Sequence, residues 1–381
     1  MSDRIIYMDC NATTPVDKEV LDAMMPYFSE RFGNASSKHH YGNEALAAVE
    51  TARRKVAGVI NAEAEEIIWT SGATESVNLA LKGAAETRFR PGMNIVTTEI
   101  EHPAVLDTCK ALSESGVEIR YAKPDRYGIV QPGEIEKLVD GNTLIVSVMT
   151  ANNETGTIQP VPEIGTICAN KNVLFHTDAT QAYGRIPVDV RSYGISLMSF
   201  SSHKIYGPKG VGALYLSRTV SSDLAPQIHG GGHERGLRSG TLNVSAIAGF
   251  GKAAEISGKR MYDDFGKQIV MRDRLTEIFL RRLPHVYLNG HRSKRLPNTA
   301  NICFEGVPAS ALIGRIRDVA VSTGSACSSA TLQDSHVLKA LGLTADRIKS
   351  SIRFSIGRMT TNEDIDVVTE KFIEESNKLR N

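Results

Sequence analysis

The sequence predicts an α/β fold, built around a mainly parallel sheet with helices on both faces. Through the first two thirds of the chain, short apolar runs of strand length alternate with longer segments of helical periodicity. This alternation is typical of β–α–β units, in which each crossover helix covers the sheet. A length of 381 residues exceeds one average domain and suggests two or three.

Six candidate strands share a short apolar core bounded by turn residues, which is the pattern of strands buried on both faces. They lie at 66–70, 94–98, 143–149, 173–177, 195–200 and 211–216. Between them, the segment 44–60 repeats mostly apolar residues at steps of three and four, so that face should cover the sheet.

A second, smaller unit is predicted from near residue 260, where the sequence becomes more polar. It would begin with a polar helix over 262–282 and contribute strands at 299–304 and 351–355. The final helix should open at Thr360, because Thr360 and Glu363 have the spacing of a capping box. We therefore expect a large domain over 15–260 and a small domain made of 1–14 and 261–381.

Composition excludes several classes of protein. Lys and Arg number 44 against 43 Asp and Glu, so no bulk charge draws the chain to nucleic acid or to an anionic membrane. No apolar run approaches the roughly 18–20 residues that span a bilayer, and the first residues lack the apolar stretch of a signal peptide. Five cysteines without C-x-x-C spacing argue against a disulfide framework and a structural zinc site. We expect a cytoplasmic protein with free thiols.

The first cluster with chemical meaning is TSGATE at 70–75, which follows a predicted strand and opens a helical pattern. Such a turn exposes amide N–H groups at the positive end of the helix dipole, and its hydroxyl groups can add donors to a phosphate. An ordinary capped helix start is the alternative interpretation. Nucleotide binding fits worse, because the chain lacks G-x-x-x-x-G-K-[ST] and has no G-x-G-x-x-G on its first βα turn.

Two further clusters follow apolar strands. HTDATQ places Asp178 at the C-terminal end of one strand, where open α/β sheets bind ligands, and SSHK places Lys204 after the next. A lysine at a strand end is usually a solvated charge. Beside an acid and a phosphate-binding turn, however, Lys204 suits covalent attachment of an aldehyde. A phosphate cradle, a lysine and a carboxylate together favour pyridoxal phosphate.

With these residues in place, the sequence resembles the cysteine desulfurases of the NifS/IscS group, pyridoxal-phosphate enzymes of aminotransferase fold type I. The likeness runs from residue 7 to the last residue. Its ordered matches are DCNATTP (9–15), TSGATES (70–76), TEIEHPAV (98–105), ANNETG (151–156), HTDATQA (176–182), SSHKIYGPKGVGALY (201–215), GGGHERGLRSGT (230–241), LPNTANI (296–302), STGSACSSA (322–330) and SIRFSIGR (351–358). The resemblance implies a seven-stranded, mainly parallel sheet in the large domain and a smaller α+β domain that carries a mobile cysteine loop at about 322–335.

Carried over residue by residue, the resemblance implies roles at a cofactor site. Lys204 would bind pyridoxal phosphate covalently, Asp178 would pair with its ring nitrogen, and Gln181 would reach its phenolic oxygen. His102 would stack on the ring and carry a proton. The phosphate would be held by Ala73, Thr74, Ser201, His203 and Thr241. Thr241 resembles a residue supplied by a neighbouring subunit, so the family likeness implies a homodimer.

The same likeness implies L-cysteine as the substrate. Arg353 would form a bidentate ion pair with its carboxylate, assisted by Asn153 and Asn34, although a structural salt bridge is the alternative for Arg353. Cys327 lies among small residues typical of a mobile loop, where a thiol is accessible. Its attack on the substrate sulfur would give L-alanine and a persulfide on Cys327. The sulfur would then pass to acceptors for iron–sulfur cluster assembly or tRNA thiolation.

Other interpretations stay open. A selenocysteine lyase or small-substrate aminotransferase would keep Asp178, Lys204 and Arg353 but need no sulfur nucleophile. A non-catalytic carrier would keep the fold without cofactor, although the intact lysine argues against it. His229 and His233 make a poor metal site, so no metal is expected. Relatives continue beyond the last helix with an extension that helps to dock an iron–sulfur scaffold, which weakens the prediction of that partner here.

Overall fold

The computed structural model describes residues 4–88, 90–323 and 334–380. Its strands are β1 (Ile6–Tyr7), β2 (Ile67–Thr70), β3 (Asn94–Thr98), β4 (Glu118–Ala122), β5 (Thr143–Ser147), β6 (Leu174–Asp178), β7 (Leu197–Ser201), β8 (Gly212–Leu216), β9 (Val286–Asn289), β10 (Thr299–Phe304), β11 (Val319–Ala320) and β12 (Ser351–Ser355). Its α-helices are α1 (Lys18–Met24), α2 (Pro26–Ser29), α3 (His40–Gly58), α4 (Ala73–Arg88), α5 (Pro103–Glu114), α6 (Pro132–Leu138), α7 (Val161–Asn170), α8 (Val244–Arg282), α9 (Ala309–Arg315), α10 (His336–Ala340), α11 (Ala345–Lys349) and α12 (Asn362–Arg380).

A seven-stranded sheet forms the centre of the larger unit and confirms the predicted α/β fold. Its strand order is β2-β8-β7-β6-β5-β3-β4. Strand β8 runs antiparallel to both neighbours, whereas the strands from β7 to β4 are parallel. The C-terminal ends of β3, β5, β6 and β7 therefore meet at one edge of the sheet, where open α/β sheets bind ligands.

The strands predicted from apolar runs are all present. Those at 94–98, 299–304 and 351–355 coincide with β3, β10 and β12, and the others differ by one or two residues at an end. Strand β4 was not predicted, because it lies at the sheet edge and its polar Glu118 and Arg120 break the apolar pattern.

Two apolar cores lie on the faces of the large sheet, and a third fills the smaller unit. One face carries the aromatic side chains of Trp69, Tyr183, Phe200 and Phe250, with Tyr183 and Phe200 stacked at 4.3 Å between ring centroids. The opposite face is covered by α4 and its neighbours. In the smaller unit, the antiparallel sheet β12-β10-β9 packs against α8 and α12 through a phenylalanine cluster. That cluster contains Phe279, Phe304, Phe354 and Phe372.

Helix α8 corrects one prediction. The expected helix over 262–282 is the second half of a helix of 39 residues that begins at Val244. Its first half buries Phe250 in the large core and its second half buries Phe279 in the small one. The change in polarity near residue 260 marks where the helix leaves the large sheet, not where a helix begins. The domain limits themselves stay a prediction.

The start of α12 is also shifted by one residue. The capping box is formed by Thr361 and Asp364, not by Thr360 and Glu363. The Asp364 amide donates to Thr361 Oγ1 (3.1 Å), and the Thr361 amide donates to Asp364 Oδ2 (3.0 Å). Thr360 Oγ1 instead accepts from the Gly357 amide. Within the described ranges, no helix combines the length and apolarity that crossing a bilayer requires.

The N-terminal segment links the two units beside the sheet edge. Strand β1 pairs in parallel with β11, and the Cys10 amide donates to the Ser355 carbonyl in the small unit. Four residues further on, the Thr14 amide donates to the His203 carbonyl in the large unit. The intervening residues 11–13 contact Lys204 and His203, which follow the C-terminal end of β7. They close one side of the candidate site.

Candidate active site

A cavity of about 510 Å³ lies at the C-terminal edge of the parallel strands. It brings together most of the residues singled out from the sequence, although they are far apart along the chain. Those in its wall are Ala73, Thr74, His102, Asn153, Asp178, Gln181, Ser201, His203, Lys204 and Arg353. Asn34 and Thr241 are not among them, and Cys327 lies outside the described residues.

Lys204 follows β7 in a short 3-10 helix, Ser202–Lys204, and is buried. Its Nζ donates to the carbonyl oxygens of Asn11 (2.6 Å) and Ala12 (2.7 Å). Both acceptors belong to the N-terminal segment and are neutral. The amine is therefore held at the cavity wall by a second part of the chain.

Asp178 ends β6 with a buried carboxyl group, and its Oδ1 accepts from the Thr180 amide (2.9 Å). Beneath it, the His176 ring bonds to Ser147 Oγ and Ser199 Oγ. Burial lowers the pKa of His176 to about 4, although the nearby Asp178 acts in the opposite direction. His176 is therefore neutral near pH 7, so its ring adds no positive charge beside Asp178.

One end of the cavity suits a phosphate. The N-terminus of α4 lies in the wall, and the buried Ser201 Oγ has no hydrogen-bond partner among the described residues. His203 Nδ1 lies 3.1 Å from Thr13 Oγ1. Burial and the adjacent Lys204 lower the pKa of His203 to about 3, so its ring is neutral near pH 7. An unused buried hydroxyl beside a helix N-terminus fits a phosphate oxygen.

The acidic side chain nearest this end is already paired. Glu75 Oε1 accepts from Arg238 Nε (2.8 Å), and Glu75 Oε2 accepts from the Ser71 amide (2.8 Å). The Arg238 guanidinium offsets the negative charge that Glu75 would otherwise present to an anion.

Arg353 also lines the cavity and is buried in β12. Its Nη2 pairs with Asp9 Oδ1 (2.7 Å), and its Nη1 donates to the Asn153 carbonyl (3.0 Å). Its Nε is buried and has no hydrogen-bond partner among the described residues. Arg353 can therefore donate to a further carboxylate, which would share the guanidinium with Asp9 or displace Asp9 from it. The salt bridge, which the sequence offered as the alternative for Arg353, is present, and carboxylate binding by Arg353 stays a prediction.

His102 is both a capping residue and part of the cavity wall. It is the N-cap of α5, and its Nδ1 accepts from the Ala104 amide (3.1 Å). Because Nδ1 accepts this bond, the neutral ring carries its proton on Nε2. The cap therefore fixes both the position of the ring and its tautomer.

Asn34 and Thr241 are exposed on the surface of the chain. Asn34 Oδ1 accepts from the Ser36 amide (2.9 Å). Neighbours of both residues, including Ala35 and Leu242, line one surface groove of about 250 Å³. A single chain therefore does not bring Asn34 or Thr241 into the cavity.

Several site residues had no role assigned from the sequence. Asn11 and Thr13 lie in the DCNATTP match, but only the folded structure shows that they contact Lys204 and His203. Arg185 gives no sequence signal, yet it donates to the Lys204 carbonyl (2.9 Å). Glu101, next to His102, accepts from Thr98 Oγ1 and the Met149 amide, and burial raises its pKa to about 8.

The described cysteines are buried and free, as predicted. Burial raises the pKa of Cys10 and Cys303 to about 11 and that of Cys109 and Cys168 to about 12. All four are therefore thiols near pH 7 and poor nucleophiles. Over the same described ranges, no group of three His, Cys, Asp or Glu side chains could hold a metal ion.

Comparison with known proteins gives consistent matches. The family model described as aminotransferase class-V matches residues 6–368. The cysteine desulfurase IscS of Anaeromyxobacter sp. (strain Fw109-5) is 48% identical over 376 residues, covering 98% of this chain and 93% of the relative. A solved NifS-like protein has a TM-score of 0.92 at 39% identity, covering 98% of this chain and all of that one. A structure described as SspA in complex with cysteine has a TM-score of 0.82 at 35% identity, covering 92% of this chain and 98% of that one.

Proposed function

The chain belongs to the class-V aminotransferase family and is a cysteine desulfurase, and we propose that the cavity around Lys204 is where it removes sulfur from L-cysteine. The observation that carries this assignment is the placement of three groups in one cavity. Lys204, Asp178 and Arg353 all line the cavity to which the N-terminus of α4 also contributes. An amine, an acid and a carboxylate-binding group are what an amino-acid substrate and an aldehyde cofactor need.

The family uses pyridoxal phosphate, and the residues present fit it. Asp178 would pair with the ring nitrogen, Gln181 would donate to the phenolic oxygen and His102 would lie on the ring face. The phosphate would be held by Ala73 and Thr74 of the α4 N-terminus with Ser201 and His203. The buried Ser201 Oγ without a partner supports this placement. When bound, pyridoxal phosphate supplies an aldehyde for amines and an acceptor for the electron pair left at the substrate Cα.

The chain's own groups then handle the proton. With the substrate bound, Lys204 Nζ would take the proton from the substrate Cα. The nearby carbonyl oxygens of Asn11 and Ala12 hold the resulting ammonium group, as they hold Nζ in this structure. His102 lines the same cavity and its Nδ1 accepts from the Ala104 amide, so Nε2 would be the atom that delivers a proton to the product.

The substrate carboxylate would bind Arg353, whose buried Nε has no partner among the described residues. Asn153 fixes the guanidinium through its carbonyl oxygen and also lines the cavity. The backbone of Ser322 pairs with that of Arg353, with a 2.7 Å bond from the Arg353 amide. Ser322, which precedes Cys327 by five positions in the sequence, is therefore held beside Arg353.

Cys327 is proposed as the nucleophile. Its thiolate would attack the substrate sulfur, forming an S–S bond and breaking the C–S bond. The bonding pair stays with the substrate carbon, which takes up a proton and becomes the methyl group of L-alanine. The burial and high pKa of the other four cysteines support this choice, because none of them offers a thiolate near pH 7. The sulfur acceptor, including an iron–sulfur scaffold, stays a prediction.

Two single substitutions test the reaction. Lys204→Ala should abolish alanine formation and the absorbance of covalently bound cofactor. Cys327→Ala should keep that absorbance but lose alanine formation, whereas Cys10→Ala, the matched control at a buried thiol, should stay close to wild type. Normal turnover by Cys327→Ala would contradict the persulfide step, and a keto acid as product would indicate transamination.

A homodimer would complete the site. Thr241 and Asn34 are exposed in the single chain, and they lie near exposed apolar side chains such as Phe32, Tyr41 and Leu46. If Thr241 serves the neighbouring subunit, mixing Lys204→Ala with Thr241→Ala chains creates one intact site in each mixed dimer. Activity should then recover to about a quarter of wild type. No recovery after confirmed subunit exchange would show that each site uses its own chain only.

A cytoplasmic location is proposed on the state of the cysteines. The four described cysteines are free, which agrees with a reducing compartment.

A further inference from the structure

We propose that Arg185 is a positioning residue that fixes Lys204 and Gln181 from behind the cavity and keeps a positive charge next to the lysine. Arg185 follows β6 by a few residues and is partly buried. It does not line the cavity wall itself. Its effect would therefore be exerted through the residues that it holds. This inference rests on the proposed attachment of cofactor to Lys204.

The guanidinium of Arg185 joins three segments of chain. Its Nη2 donates to the carbonyl oxygens of Lys204 (2.9 Å) and Cys10 (3.1 Å). Its Nη1 donates to Gln181 Oε1 (2.8 Å) and Asn11 Oδ1 (3.0 Å). Two of these partners, Lys204 and Asn11, are also joined directly through Lys204 Nζ and the Asn11 carbonyl. Arg185 thus holds both the backbone of Lys204 and Asn11, whose carbonyl oxygen accepts a hydrogen bond from Lys204 Nζ.

Arg185 also decides which way the Gln181 amide points. A guanidinium has only donors, so the Gln181 atom that faces it must be the oxygen. The Gln181 Nε2 is thereby turned the other way, where it donates to the Asn11 carbonyl (3.0 Å). A phenolate oxygen in the cavity needs this donor end of the amide. With Arg185 replaced by an apolar residue, only the bond from Gln181 Nε2 to the Asn11 carbonyl would remain to orient the amide.

The four acceptors of Arg185 are all neutral oxygens, so none of these bonds offsets its charge. Its field reaches the site, because Arg185 adds to the effects of burial, Lys204 and Lys209 that lower the pKa of the half-buried His203. The titratable groups that face Arg185 are Cys10, Tyr206, Arg353 and Arg358. Burial raises the pKa of both Cys10 and Tyr206. Neither group therefore loses its proton between pH 6 and 9, and neither adds a negative charge beside Arg185 in that range.

The test is a pH titration of the cofactor absorbance in the holoenzyme, because the chromophore attached to Lys204 reports its own protonation. In Arg185→Met, loss of the nearby cation should raise the midpoint by about one pH unit. Arg185→Lys keeps the positive charge but loses the planar guanidinium that donates to four acceptors. Its titration midpoint should therefore stay near that of wild type, while the rate of cofactor binding by the apoprotein should fall several-fold. Arg185→Gln, which retains donors but no charge, should shift like Arg185→Met and serves if the methionine variant fails to fold.

Arg295→Met is the matched control. Arg295 is a buried arginine that, like Arg185, donates to neutral oxygens, here the carbonyl oxygens of His291, Asn289 and Thr299, but none of these residues lines the cavity. The Arg295→Met substitution should lower the melting temperature without changing the midpoint of the pH titration. A wild-type midpoint in both folded Arg185→Gln and Arg185→Met would overturn the inference and leave the proposed function intact. Cofactor absorbance that survives in Lys204→Ala would overturn both.

Discussion

The pairing of Arg353 with Asp9 leads to a prediction about substrate affinity. In this structure Asp9 Oδ1 lies 2.7 Å from Arg353 Nη2. The Asp9 side chain is 16% exposed and that of Arg353 is 3% exposed. A substrate carboxylate must share or displace that contact, and it must also approach a second negative charge. We expect Asp9→Asn to bind carboxylate ligands more tightly than wild type. The asparagine oxygen can still accept from Arg353, so the guanidinium stays in place.

The size of the effect follows from the charge separation. Two unit charges about 4 Å apart interact by about 4 kcal/mol at an effective dielectric constant of about 20, which is an upper limit here. Desolvation and the retained hydrogen bond reduce the net gain to about 1–2 kcal/mol. A difference of 1.4 kcal/mol is about tenfold in a dissociation constant. The dissociation constant of L-alanine should therefore fall by about tenfold in Asp9→Asn.

The assay compares two ligands in three proteins. Cysteamine, which lacks a carboxylate, should bind wild type and Asp9→Asn equally. Asp264→Asn is the control, because Asp264 pairs with Arg358 at 2.6 Å and its side chain is 15% exposed, close to the geometry at Asp9. It should cost stability and leave alanine binding unchanged. Weaker or equal alanine binding by Asp9→Asn would refute the competition.

Further predictions concern stability. The pKa of Glu101 is raised by burial from 4.5 to about 8, so its stabilising neutral form is fully present below pH 4.5 and is lost as the pH rises through 8. Melting temperatures should show wild type losing stability relative to Glu101→Gln over that range, and a constant difference would contradict it. Gly165→Ala should destabilise by at least about 3 kcal/mol in chemical denaturation, because the added Cβ would lie 1.8 Å from the Tyr193 carbonyl oxygen. Gly266→Ala, in a helix with nothing within 4 Å, should instead stabilise by about 0.5–1 kcal/mol, and a loss at that position would indicate an unseen contact.

The site residues at strand ends could be predicted from sequence because local patterns locate them. Asp178 and Lys204 each follow an apolar run, and parallel strands bring such positions to one edge. Their roles came from the family resemblance and not from the pattern. The orientation of His102 as both cap and wall residue could not be read from sequence, since one motif serves both purposes.

The partners of Lys204 could not be predicted, because they depend on contacts between distant segments. Arg185 bonds to Asn11 across 174 positions, and no periodicity marks either residue. Helix boundaries failed for a related reason. The first half of α8 is buried against α1 and α3, while its second half is more polar. The hydrophobicity pattern therefore changes within the helix, and a short stretch of sequence does not show that the helix is continuous. At α12, Thr361 and Asp364 form the capping box, and Ile365, which follows them, is buried in the small core.

The length of α8 has a mechanical consequence. At 1.5 Å per residue, its 39 residues form a strut of about 58 Å. Both phenylalanine-containing cores pack against this one helix. Lys204 belongs to the larger unit and Arg353 to the smaller one, so bending of α8 would change the distance between the two groups proposed to bind the substrate.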